Sequence, residues 1–231
     1  VTDLVRNAFG YTARLAVVAG TIGIVFGLTL GIIAALNRGK RLDHAISAWA
    51  AGVLSIPSFV SGMLLILLFA VILRWLPPSG AGEPGNIMSQ LRALILPALA
   101  LGFPFAAILA RFMRGALIEV LGQDYVLTAR AKGLRSATVI GHHEVRNALI
   151  PTVTVMGIGL GGLLAGAVVV ETVFSYPGLG RLVVSSIFNR DYPVVQAGLI
   201  VGSAVFLGMS LLADLTYGLL DPRIALARQK R

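Results

Sequence analysis

The sequence predicts an all-α, polytopic membrane protein, and three observations carry that prediction. Hydrophobic residues make up 57% of the 231 and charged residues only 13%, whereas soluble domains sit near ~45–50% and ~25%. Apolar stretches recur that are long enough to cross a bilayer, which takes about 20 helical residues. Basic residues crowd into alternate connecting segments, as they do in cytoplasmic loops. Together these describe a transmembrane helical bundle of five spans forming a single domain over residues 1–231.

The first stretch, Leu15 to Leu36, carries no charge, and Gly23, Gly27 and Gly31 recur along one of its faces. Small residues at that spacing let helix backbones approach closely in lipid; packing within the chain is preferred here over a dimer face. The second, Ala45 to Leu73, is also uncharged and contains Pro57. The third, Ala93 to Ala110, carries Pro97 and Pro104. Pro57 and Pro104 are expected to kink their helices. The fourth, Ala148 to Val170, is glycine-rich, with Gly157, Gly161, Gly162 and Gly166 at the close-packing spacing. The fifth, Val194 to Leu220, holds one ionisable residue, Asp214. An acid at membrane depth is a functional candidate by default, but Asp214 lies close enough to the end of its span to be solvated.

Residues 37–44, 111–146 and the tail after the last span together hold thirteen of the 19 basic residues, while 74–92 and 171–193 hold two each. This asymmetry predicts that the first three segments, including the C-terminus, are cytoplasmic. It also explains the net charge of +9 without nucleic acid. Five spans with a cytoplasmic C-terminus put Val1 outside, which predicts a preceding helix not contained in these residues. The absence of cysteine excludes disulfides, thiolate metal sites and cysteine nucleophiles.

Residues 111–146 are the longest cytoplasmic loop and carry the most pattern. Glu119 to Lys132 reads as helical, Gly133 breaks it with Leu134 at the turn, and Ser136 is suited to cap a second helix leading into the fourth span. Two readings stand side by side: an amphipathic hairpin on the headgroups, or a rigid knob that inserts into a partner.

The run Asp124-Tyr125-Val126-Leu127-Thr128-Ala129-Arg130-Ala131-Lys132-Gly133-Leu134 resembles the EAA-type loop of ABC importer permeases, in the form used by the dipeptide/oligopeptide (peptide/nickel) family. Arg146-Asn147-Ala148-Leu149-Ile150-Pro151, the segment from Glu171 to Arg181, the segment from Asn189 to Gln196, and Asp221-Pro222-Arg223 are similar to that family's B-type subunit. So are Ser55-Ile56-Pro57-Ser58-Phe59 and Trp75-Leu76-Pro77. The likeness covers nearly the whole chain. Thr128-Ala129-Arg130 stands where the general loop has Glu-Ala-Ala, as in the dipeptide-type branch. The B-type subunit has six spans, so its first would precede the part present here.

The resemblance implies a type I ABC importer in a prokaryotic cell membrane, in which this chain and a second, C-type permease form the path for dipeptides or oligopeptides. Two ABC ATPase subunits would bind ATP and Mg, and an extracellular or periplasmic binding protein would deliver substrate. This chain would bind no cofactor and contact lipid but no nucleic acid. A phosphate-binding P-loop is absent, since Gly39-Lys40 lacks both the upstream glycine and the following Ser or Thr. Docking onto the ATPase falls to Asp124, Tyr125, Ala129, Arg130, Ala131, Lys132, Gly133, Leu134 and Arg135: small residues to sit deep in a groove, Tyr125 and Leu134 as apolar anchors, and basic residues at the rim to set orientation. Candidates for lining the path are Ser55, Pro57, Ser58, Phe59, Thr152 and Thr154, although Ser and Thr in spans more often bond their own backbone. No catalytic residue and no metal ligand set is expected. Nickel importers share the architecture and remain the alternative; His44, His142 and His143 all fall in cytoplasmic segments and so make no metal path through the membrane, which weighs only slightly toward peptides. A secondary transporter would place several ionisable groups near the midplane, and an intramembrane enzyme would need a nucleophile and base there; the five stretches hold neither.

Overall fold

The computed structural model describes residues 1–125 and 144–220, and among them the regular elements are all helical. In chain order they are α1 (Thr2–Leu36), α2 (Arg41–Ser55), α3 (Ser58–Leu65), a π-helical continuation (Ile66–Ile72), α4 (Ile87–Leu121), α5 (Arg146–Val173), α6 (Leu179–Phe188) and α7 (Tyr192–Leu220).

Helices outrun the apolar stretches that announce them. α1 begins at Thr2, a dozen residues before the uncharged run, because nothing in Thr2 to Arg14 breaks a helix. Apolar composition marks the part of a helix that lies in hydrocarbon, not where the helix ends. At 1.5 Å per residue, the 35 residues of α1 and of α4 each extend about 50 Å, well beyond the ~30 Å core.

α4 is the axis of the bundle: 72% of its most apolar stretch is buried, against 28% or less for the same stretch of α1, α5 and α7. The glycines of α1 explain how α4 is reached. A Cβ added at Gly27 would lie 2.6 Å from Leu109 Cβ and 2.9 Å from the Ala106 carbonyl, and at Gly31 it would lie 2.7 Å from Met113 Cβ. From the other side, a Cβ on Gly102 would lie 2.8 Å from the Ala19 carbonyl. The two backbones touch through small residues on both helices, which is packing within the chain. Phe105 is buried with its ring against Gly23 of α1 and Gly159 of α5, so one aromatic side chain ties three helices together. The α5 contact uses Gly159 and Gly166, whose Cβ would lie 2.9 Å from Leu101 Cδ1. Gly162 faces open space.

The second span differs from expectation. Pro57 does more than kink it: α2 and the α3–π segment meet at 106°. Ile56 is extended (φ −99°, ψ 125°) and Pro57 stands ahead of α3 at φ −56°, ψ 142°. A residue before proline is pushed out of the helical region by the ring, and here that ends α2. α4, by contrast, runs as one helix through Pro97 and Pro104, held on both sides by α1 and α5.

The broken pair still crosses the bundle. Its start, Asp43, is bonded to Arg114 near the C-terminal end of α4. Beyond the bend, Gly62 packs against Phe174 at the C-terminal end of α5, and Gly80 N–H donates to the Phe174 carbonyl at 2.9 Å. Those two landmarks lie at opposite ends, so the segment is a broken span and not a re-entrant loop. Counted this way, the described residues hold five spans long and apolar enough to cross a membrane.

Candidate coupling and translocation sites

At the basic end of the bundle, α4 and α5 lead into and out of residues 126–143. Tyr125 is 44% exposed, and Asn147 Nδ2 donates to its hydroxyl at 3.1 Å. This bond brings together the two limbs of the predicted docking segment. Asp124 is exposed beside it. Of the other docking candidates, Ala129, Arg130, Ala131, Lys132, Gly133, Leu134 and Arg135 lie outside the described residues. Beneath the limbs, Ala35, Met113, Leu117 and Ala148 form a small buried core that fixes α4 and α5 against the end of α1.

A buried carboxylate sits at the same end. Arg114 Nε donates to Asp43 Oδ1 at 2.5 Å and Nη2 donates to Oδ2 at 2.8 Å, a bidentate fork suited to guanidinium and carboxylate planes. Gly39 N–H donates to Oδ2 at 2.9 Å, from a backbone at φ +75° that glycine adopts without strain. The Asp43 side chain is 3% exposed, that of Arg114 33%. Sequence reading missed this pair, because 71 positions separate its members.

At the elbow of the second span, Ser55 Oγ donates to the Ala51 carbonyl at 2.8 Å and Ser61 Oγ to the Ser58 carbonyl at 3.0 Å. Both hydroxyls therefore bond their own helix. Ser55 and Pro57 are exposed, Phe59 is 46% exposed and Ser58 is half-buried. Inside the bend lies a cavity of about 390 Å³ walled by Trp49, Val53, Ser61, Leu65, Phe103 and Pro104. Trp49 and Phe103 meet edge to face at 6.1 Å. The α5 candidates lie elsewhere. Thr152 is 1% exposed, donates to the Ala148 carbonyl at 2.8 Å and faces Met113 of α4. In this structure it packs between two spans, facing α4 and not the elbow cavity. Thr154 is half-buried, and its hydroxyl oxygen makes no hydrogen bond among the described residues.

At the opposite end a second buried acid organises the surface. Glu171 is fully buried at the end of α5. Thr12 Oγ1 donates to Glu171 Oε1 at 2.6 Å and accepts Leu179 N–H at 2.8 Å, while Oε2 accepts Arg181 N–H at 3.1 Å. The carboxylate therefore satisfies the first turn of α6, where free N–H groups and the helix dipole favour negative charge. There is no room for anything else: a Cβ on Gly180 would lie 2.6 Å from Val168 Cα, and one on Gly178 would run into the Glu171 carboxylate. Arg181 Nη1 closes the turn on the Ser175 carbonyl at 2.6 Å. Nearby, Tyr176 stacks edge to face on Tyr11 at 5.7 Å, and burial pushes its hydroxyl pKa up to about 12. Sequence reading placed Glu171 in a motif without giving it this role; the available signal was an acid at the end of an apolar run followed by a Pro-Gly turn. A larger, almost wholly apolar cavity of about 740 Å³ lies between α1, α5, α6 and α7, with Thr12 at its edge.

Residues 27–226 match the family model for the inner membrane component of binding-protein-dependent transport systems. The chain belongs to this family. It is thus a permease component of an ABC importer and not an ATPase, a conclusion in keeping with its spans. The permease is 42% identical over 237 residues to the di/tripeptide transport system permease protein DppB of Pseudomonas aeruginosa (strain UCBPP-PA14), covering 94% of this chain and 70% of that protein. It is 42% identical over 224 residues to the glutathione transport system permease protein GsiC of Escherichia coli (strain K12), covering 97% and 71%. Among solved structures, an inward-facing form of the MetNI methionine ABC transporter superposes with a TM-score of 0.78 at 20% identity, covering 94% of this chain and 96% of that one. An amino acid ABC transporter crystallised with histidines superposes at 0.70 and 19% identity, covering 94% of each. These last two likenesses establish the fold.

Proposed function

We propose that this permease, paired with a second permease subunit, carries small peptides inward through a membrane, driven by two ATPase subunits and supplied by an extracellular binding protein. The observation that carries the substrate class is the 42% identity, over nearly the whole chain, to proteins named for di/tripeptide and glutathione transport. The basic end is the cytoplasmic one, as the crowding of Lys and Arg supports, and the C-terminus lies there too. ATP and Mg bind to the partner ATPases, which dock on the segment between α4 and α5. The Tyr125–Asn147 bond supports that role by holding both limbs in register. A segment anchored at two ends passes a push to its spans with little loss, and rigid-body rocking of spans is how such a path changes the side to which it opens.

The test is uptake of labelled dipeptide, glutathione and nickel by vesicles containing the complete complex, with binding protein outside and ATP inside. ATP-dependent peptide uptake is expected. Nickel uptake without peptide uptake would overturn the substrate class.

A further inference from the structure

We propose that the Asp43–Arg114 ion pair is a positioning device that makes α2 and α4 one moving body, so that motion arriving at the basic end is released at the Ile56–Pro57 elbow. The inference rests on the docking role given above to the segment after α4.

Three observations converge on it. Arg114 stands two turns before the end of the helix that leads into the docking segment. Asp43 lies in the first turn of the helix that ends at the elbow. The fork between them is bidentate and its carboxylate is buried and further held by Gly39 N–H. A charged pair is a costly way merely to glue two helices, since well-packed apolar residues of similar volume hold as well or better. What a fork adds is a fixed direction: it resists sliding and rotation of α2 along α4, where small apolar contacts do not. Next to it α2 and α4 leave a cavity of about 220 Å³ lined by Ile46, Ser47, Ala50 and Arg111, so apolar packing does not lock this end by itself. At the elbow the converse holds. Ile56 and Pro57 interrupt the backbone bonding, and the 390 Å³ cavity inside the bend gives the two halves room to close or open. Hinges are a few element-terminal residues that absorb such changes.

The test uses the complete complex in vesicles, and the chain's lack of cysteine makes it practical. Asp43→Asn and Arg114→Gln should each lower the peptide taken up per ATP hydrolysed by roughly two- to thirty-fold, with assembly of the complex unchanged. A flexible bis-maleimide link between Ile46→Cys and Arg111→Cys should leave that ratio at the wild-type value and restore it in Asp43→Asn. A link across the elbow, between Val53→Cys and Leu65→Cys, which line the cavity inside the bend from its two halves, should stop uptake. The proposal is overturned if the α2–α4 link stops uptake, or if both single variants keep the wild-type ratio. Should either single variant fail to assemble, the link placed on the intact ion pair still decides. Failure of the unlinked wild-type complex to take up peptide would count instead against the substrate reading.

Discussion

Gly27 and Glu171 show how single residues set this bundle's geometry. Gly27 is where α1 and α4 touch backbone to backbone, so Gly27→Leu must push the helices apart. Overpacking of a tight contact costs about 1–3 kcal/mol, and the detergent-solubilised chain should lose thermal stability accordingly. Gly162→Ala, into open space, should change it by less than about 0.5 kcal/mol. Glu171 holds α6 through the Thr12 hydroxyl and the Arg181 N–H. Thr12→Val leaves Leu179 N–H and Glu171 each short of a partner in a buried place, at a cost of about 1–3 kcal/mol. Hydrogen exchange should then quicken in Leu179 to Arg181 and stay unchanged in α4; equal protection in both proteins would show that the hydroxyl does not hold the helix. Neither acid-centred network was legible in the sequence, because its members lie 71 and 159 positions apart. The glycine stripe of α1 was legible, since its spacing alone places it on one face.

At the scale of elements, length and apolarity announced the helices but not their limits. α1 and α4 continue past the hydrocarbon because no proline, glycine pair or capping side chain stops them where charge begins. Proline gave an ambiguous signal: the same residue breaks the second span at Pro57 and is carried within α4 at Pro97 and Pro104. What differs is the surroundings, since α4 is enclosed by neighbours while Pro57 and Ile56 are exposed. Surroundings of that kind follow from the tertiary fold and not from local sequence. Replacing Pro57 with Ala removes the steric push on Ile56 and favours a continuous helix by about 3 kcal/mol. Pro57→Ala should straighten the elbow, leave the amount of assembled complex unchanged, and lower peptide uptake in vesicles. Undiminished uptake would show that the bend is not used.

The molecule as a whole is a bundle with two organised ends: an acid-capped surface helix at one, and at the other the limbs of the segment proposed to receive a partner's push. The helical, many-span class followed from composition, and the family followed from several motifs in order along the chain. The cavity inside the elbow did not, because its wall is made by residues such as Trp49, Leu65 and Phe103 from different elements of the chain. Gly133→Trp should abolish ATPase stimulation in the assembled complex while leaving membrane insertion intact, because a large side chain in the proposed docking segment would block its seating in a groove.

The most direct test of the central claim is which side of the membrane the segment after α4 faces. Gln123 is exposed at its start, and Gln123→Cys would be the single thiol in a cysteine-free chain. An impermeant maleimide added to intact cells should leave it unlabelled, and should label it once the membrane is opened. Labelling in intact cells would put the segment on the outer face, where no ATPase could reach it, and would contradict the account.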